Sequence, residues 1–183
     1  MLVNHFLEHS AQRLPNKTAL ICGDVRLTYG ELDDKANRVA SFLRDMKIQR
    51  QDRVAIFLDN SVESVISLFG ILKADAIFLM LSPTLKTQKL SYILNNCQAK
   101  ALITHTNKLN ITSGIFSSVP GLKFVVVAGD KDKIQKGFPT HLSWNEMNGL
   151  APNSELSTLR SRLTAEDGRT QNLTLPPSSN LQP

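Results

Sequence analysis

The residues best suited by type to do chemistry lie at the start of the chain. His5-Phe6-Leu7-Glu8-His9 matches the HxxEH pattern of inverted zinc peptidases. Two imidazoles at i and i+4 share one helical face and could ligate Zn²⁺, with the glutamate as general base. The signal is weak, because the helix is short and terminal and only His105 and His141 remain as further histidines. With no third ligand evident, an amphipathic surface helix accounts for the pattern better. Cys22 and Cys97 are far apart and form no CxxC, so they read as single buried thiols in a cytosolic protein. The stretch Gly129-Asp130-Lys131-Asp132-Lys133-Ile134-Gln135-Lys136-Gly137 is a charged loop. It lacks the small-residue spacing that brings several backbone N–H groups onto a phosphate, and its acids lack calcium-loop spacing. GxxxxGK[ST], GxGxxG and GxSxG are all missing. The residue types alone therefore assign no catalytic, cofactor-binding or metal residue.

The elements that would position any such group are clearer. Residues 2–13 predict a short amphipathic helix with Leu2, Phe6 and Leu7 on one side, stopped by Pro15-Asn16. Residues 18–22 and 25–28 flank the turn Gly23-Asp24 and predict a hairpin. Thr28-Tyr29-Gly30-Glu31 is a capping box, and the helix after it carries Leu32, Ala36, Val39, Ala40 and Leu43 as one apolar stripe. Val54–Leu58 is a continuous apolar run, as in a strand buried on both faces. Asn60-Ser61-Val62-Glu63 resembles a second cap, and the helix over 62–72 is apolar nearly all round, so it belongs between layers. Strands follow at 77–81, 101–104 and 124–128, with a helix over 87–96. This alternation predicts an α/β domain with a largely parallel sheet flanked by helices.

Length and composition agree. The chain has 183 residues, 42% of them apolar and 20% charged, enough for one domain and a tail. After Gly149 the periodicity stops. Residues 151–183 contain no Val, Ile, Phe, Trp or Tyr but four of the eight prolines, which predicts a disordered tail beyond a domain at 1–150. The net charge of +5 is not gathered into a cluster with interleaved aromatics, so nucleic acid is not an expected partner. No apolar run is long enough to span a membrane, and no signal core opens the chain. A cytoplasmic protein is expected, in which the sequons at Asn16, Asn110 and Asn172 have no consequence.

Leu27-Thr28-Tyr29-Gly30-Glu31-Leu32 resembles the first core motif of AMP-forming acyl-CoA synthetases and related adenylating enzymes, including luciferases and peptide-synthetase adenylation domains. Asn4–Leu20 resembles that family's opening helix and strand entry, Ala36–Ala40 the next helix, and Asp52–Ile56 its Gly-Asp-Arg-Val strand entry. Leu72–Pro83 is similar to the second core motif, except that Asp75 stands where the family has Gly and Met80 where it has Pro. Asp tolerates the left-handed geometry a glycine would supply there. Leu90–Leu94 and Ala101–His105 resemble the helix and strand that follow.

The resemblance implies a fold and an activity: ATP-dependent activation of a small carboxylic acid to acyl-AMP and then acyl-CoA, with ATP, Mg²⁺ and CoA as cofactors of the whole family fold. It also implies a Ser/Thr/Gly-rich phosphate loop ending in Pro-Lys-Gly, later metal and adenine motifs, and a distant catalytic lysine. This chain has Ser157-Thr158-Leu159-Arg160-Ser161-Arg162 where the loop would fall. The expectation is a truncated or frame-shifted ligase, inactive alone, with a non-native tail. The alternatives are the docking half of a split enzyme, joining its missing C-terminal portion through an open sheet face and edge and exposed helices such as 62–72, or a non-catalytic binding module.

Overall fold

A computed structural model of the protein describes residues 2–130 and 141–149. The predicted tail at 151–183, the boundary at 150 and most of the charged loop lie outside the described residues.

The chain opens with helix α1 (Val3–Arg13), followed by the antiparallel hairpin β1 (Thr18–Cys22) and β2 (Val25–Thr28). Helix α2 (Tyr29–Asp45) starts directly at the hairpin's end because Thr28 is its N-cap. The Glu31 N–H donates to Thr28 Oγ1 at 3.2 Å, and the Thr28 N–H donates to the Glu31 carboxylate at 2.8 Å. That reciprocal pair is the capping box the sequence predicts. The hydrogen bond from the Thr28 backbone N–H, with a further one from the Thr28 side chain, holds the Glu31 carboxyl below its ordinary pKa.

Strand β3 (Arg53–Phe57) leads into helix α3 (Val62–Lys73), capped by Ser61, whose hydroxyl accepts from the Ser64 N–H at 3.3 Å. Strand β4 (Ile77–Met80), helix α4 (Thr87–Asn96) and strand β5 (Ala101–His105) follow. A 3₁₀ turn and two single-turn helices, α5 (Leu109–Thr112) and α6 (Ile115–Ser118), then lead to strand β6 (Phe124–Ala128). Strand β7 (His141–Ser143) and helix α7 (Trp144–Gly149) were not expected from the sequence. Three strand residues and six helical ones are too few to show a period.

Strands β4-β3-β5-β6-β7, in that spatial order, form a sheet whose neighbours all pair in parallel. The strand pleat sorts their side chains. Val54, Ile56, Ala101, Ile103, Phe124, Val126 and Ala128 pack with α2, α3 and α7 on one face. Ala55, Phe57, Leu102, Val125 and Val127 pack with α4, α6 and the turn before β6 on the other. Both faces are covered, so β3, β5 and β6 are almost wholly buried, as their continuous apolar runs require. The result is the three-layer α/β architecture expected.

One expectation is corrected. The helix over 62–72 is not available as an exposed interface, because no residue of α3 is exposed. Helix α2 packs over it, and the two approach so closely that a Cβ on Gly70 would lie 2.5 Å from Val39 Cβ and Cγ1. Its all-round apolar character is explained by the sheet beneath it and α2 above it.

Candidate functional site

The strand order sets one place in this sheet apart. From β3 the chain moves outward to β4 through α3, then crosses to the other side of β3 and continues through β5, β6 and β7. The winding direction therefore reverses between β3 and β5. In open parallel sheets the loops at such a point diverge, leaving a crevice at the carboxyl ends of the strands where ligands bind.

One ammonium group ties the loops at that edge. Lys108, just after β5, donates to Asp59 Oδ1 at 2.9 Å in the loop after β3 and to the Pro83 carbonyl at 3.1 Å in the loop after β4. Its charge also lies 5.8 Å from the Phe57 ring centroid, within cation–π range. Asn107 Nδ2 donates to the second Asp59 oxygen at 3.1 Å. The hydrogen bonds from Lys108 and Asn107, helped by the Lys108 charge, hold the Asp59 carboxyl below its ordinary pKa. The loop after β6 closes on Thr106 and His105 at the same edge. Gly129 has φ +97°, and a Cβ there would fall 2.5 Å from Thr106 Oγ1 and 2.7 Å from His105 Nε2, so only glycine fits.

A second polar cluster lies among the helices on one face of the sheet. Lys73, at the end of α3, has a side chain only 7% exposed. Its Nζ lies 3.1 Å from Glu8 Oε1 on α1, 2.8 Å from Asp33 Oδ1 on α2 and 2.8 Å from Asn37 Oδ1 on α2. Partial desolvation raises the Glu8 carboxyl, but hydrogen bonds from Asn4 and Lys73 and the ammonium charge outweigh it, and the net shift is downward. An open cavity of about 460 Å³, lined by Glu8, Gly30, Asp33, Asp34, Asn37 and Lys73, lies over this group. The Arg44 guanidinium donates to the Lys73 carbonyl.

The residues of the HxxEH pattern make other contacts in this structure. Glu8 is bound to Asn4 and Lys73 instead of standing by as a base. His5 and His9 stack on each other with centroids 6.3 Å apart. Among the described residues no three His, Cys, Asp or Glu gather to hold a metal. His105 is part of the carboxyl edge, where its Nδ1 accepts from the Asn107 N–H at 3.2 Å, and the side chain of His141 lies outside the described residues. Cys22 and Cys97 are unbridged and half-buried. No helix among the described residues is long and apolar enough to cross a membrane.

Sequence reasoning missed Lys73, Lys108 and Asp59. Lys73 had a usable signal, being a lysine inside the second motif at the end of an apolar helix. The Lys108–Asp59 pair, 49 residues apart, had none. Neither cluster offers a nucleophile with a base beside it. Each ties three elements together, which is a positioning task.

Known proteins place this scaffold. The family model described as "AMP-binding enzyme" matches residues 7–160. A medium/long-chain fatty-acid–CoA/3-oxocholest-4-en-26-oate–CoA ligase of Mycobacterium marinum is 29% identical over 161 residues, covering 87% of this chain and 29% of the ligase. Bacitracin synthase 1 of Bacillus licheniformis is 38% identical over 102 residues, 56% of this chain and 2% of the synthase. The anthranilate CoA ligase AuaEII, crystallised with anthranoyl-AMP, superposes with a TM-score of 0.77 at 30% identity, over 84% of this chain and 29% of that one. The chain thus spans less than a third of each of these proteins.

Proposed function

The chain belongs to the AMP-binding enzyme family, and on that premise we propose that it is the scaffold subdomain of an AMP-forming carboxylate–CoA ligase. It backs the adenylate crevice without itself carrying the reaction. The observation that carries this reading is the clasped carboxyl edge at the sheet's reversal point, where Lys108 fixes the loops after β3, β4 and β5 relative to one another.

The chemistry supports a division of labour. Adenylation joins a carboxylate to the α-phosphate of ATP. Both are anions, so the transition state needs cations and backbone donors aimed at the developing charge. The two buried or clasped lysines here are already committed to protein carboxylates. The sequence has no Pro-Lys-Gly phosphate loop. ATP, Mg²⁺, CoA and the carboxylic acid would be held by the parts of the fold that this chain's match leaves uncovered. A CoA ligase is preferred to a peptide-synthetase module because the match to the M. marinum ligase covers 87% of this chain and that to the synthase 56%. The two unbridged thiols fit a reducing compartment, so we place the protein in the cytoplasm.

Purified chain assayed for ATP–pyrophosphate exchange with short, medium and long carboxylic acids is expected to give no rate above buffer. Acid-dependent exchange would overturn the division of labour.

A further inference from the structure

His105 stands at the end of β5, where the clasp of the carboxyl edge begins. Its Nδ1 accepts from the Asn107 backbone N–H at 3.2 Å, which makes His105 the N-cap of the 3₁₀ turn Thr106–Lys108. An imidazole nitrogen accepts only when it carries no proton, so this bond selects the neutral ring with its proton on Nε2. The turn delivers both groups that hold Asp59. Asn107 Nδ2 donates to one carboxylate oxygen at 3.1 Å, and Lys108 Nζ donates to the other at 2.9 Å. The loop after β6 confines the other side of the ring. A Cβ on Gly129 would lie 2.7 Å from Nε2 and 2.9 Å from Cε1, so the ring fills the space that glycine leaves and cannot swing toward that loop. His105 is half-buried, so a proton from solvent can reach it.

We propose that His105 is a pH-sensitive latch on this clasp: the neutral ring caps the turn that holds Asn107 and Lys108 on Asp59, and the protonated ring releases that turn. Histidine is the side chain whose charge ordinarily changes between about pH 5 and 8. A proton on Nδ1 turns the acceptor into a donor, so two N–H groups face each other and the Asn107 amide loses its partner. Among the described residues, the charged groups on the segments around the ring are Asp59 after β3, Lys108 in the turn and Asp130 after β6. The two carboxylates attract an imidazolium and the ammonium repels it. Asp59 stays ionised throughout this range, because hydrogen bonds from Lys108 and Asn107 hold its carboxyl below its ordinary pKa. A change in the clasp between about pH 5 and 8 therefore reports on the histidine. What the latch would do for a ligase rests on the scaffold reading above, while the latch itself rests on these contacts alone.

The test is an NMR titration of the full 183-residue chain. Ring ¹⁵N shifts give the tautomer and the midpoint of His105. Solvent exchange of the Asn107 backbone amide, corrected for its intrinsic pH dependence, gives the state of the cap. The carboxyl ¹³C shift of Asp59 gives the state of the clasp. The expected result is the Nε2–H tautomer at about pH 8. As the ring protonates, amide exchange should rise about fivefold, the worth of an ordinary cap, and the Asp59 carboxyl should shift at the same midpoint. His105→Asn, whose side-chain oxygen caps without titrating, should keep the amide protected and flat across the range. Circular dichroism checks that the variant is folded, and if it is not, the coincidence of midpoints in the parent decides alone. The proposal is overturned by a proton on Nδ1 at high pH, by a ring titration that leaves Asn107 and Asp59 unmoved, or by the same transition in folded His105→Asn. None of these readings involves ATP or an acid substrate, so failure of the latch is distinct from failure of the ligase reading, which ATP–pyrophosphate exchange tests separately.

Discussion

Lys73 carries an ammonium group into a site 7% exposed, where three helices each contribute part of its environment. Removing one side of a buried ion pair costs more than the pair itself contributes, because the remaining charge keeps its desolvation penalty. Lys73→Met should therefore lower stability by about 2–3 kcal/mol in urea unfolding, discounted from the fully buried case because Glu8 is partly wet. The pH dependence follows from the same contact. The folded-state pKa of Glu8 lies below its ordinary value, so its contribution is present above that value and is lost as pH falls through the folded one. The parent should lose stability below about pH 4.5 more steeply than Lys73→Met, whose Glu8 lacks the ammonium partner. Equal acid slopes in the two proteins would contradict the pairing. Only half of this was legible. Lys73 stands inside a motif string, but its partners lie on two other helices, and no local period connects positions 8, 33 and 73.

Elements were legible where a local rule identifies them. The Thr28–Glu31 box and the Ser61 cap fixed the starts of α2 and α3, because capping is a short-range hydrogen-bond pattern readable within four residues. Asp75 standing where the family has Gly was expected to take left-handed geometry, and its φ is +59°. Asp75→Gly should raise stability by about 0.5–1 kcal/mol, since glycine adopts that φ without a Cβ penalty. A decrease on thermal unfolding would show that the aspartate side chain contributes more than its strain costs. The crossing of α2 and α3 was not legible, because it depends on a distance between helices. Gly70→Ala should cost about 1–3 kcal/mol by forcing its Cβ into Val39. The Val39→Ala, Gly70→Ala double variant should recover part of that loss, and a fully additive result would refute the close contact.

At the scale of the whole molecule, the parallel sheet was legible because Val54–Phe57, Ala101–Ile103 and Phe124–Ala128 are apolar without alternation. The same rule finds β4 as a strand but does not place it in the sheet. Nothing in Ile-Phe-Leu-Met separates an interior strand from an edge strand. The reversal of strand order between β3 and β5 is a global property that no segment carries. Nor does any segment announce the Lys108 clasp, since Asp59, Pro83 and Lys108 meet only once three strands lie side by side. Family membership was legible from ordered strings of residues and not from any reaction centre. The most direct measurement replaces the matched stretch of the M. marinum ligase with residues 2–149 of this chain and assays acid-dependent ATP–pyrophosphate exchange. The scaffold account predicts exchange by the chimera and none by the chain alone. A folded chimera without exchange, or exchange by the chain alone, would contradict it.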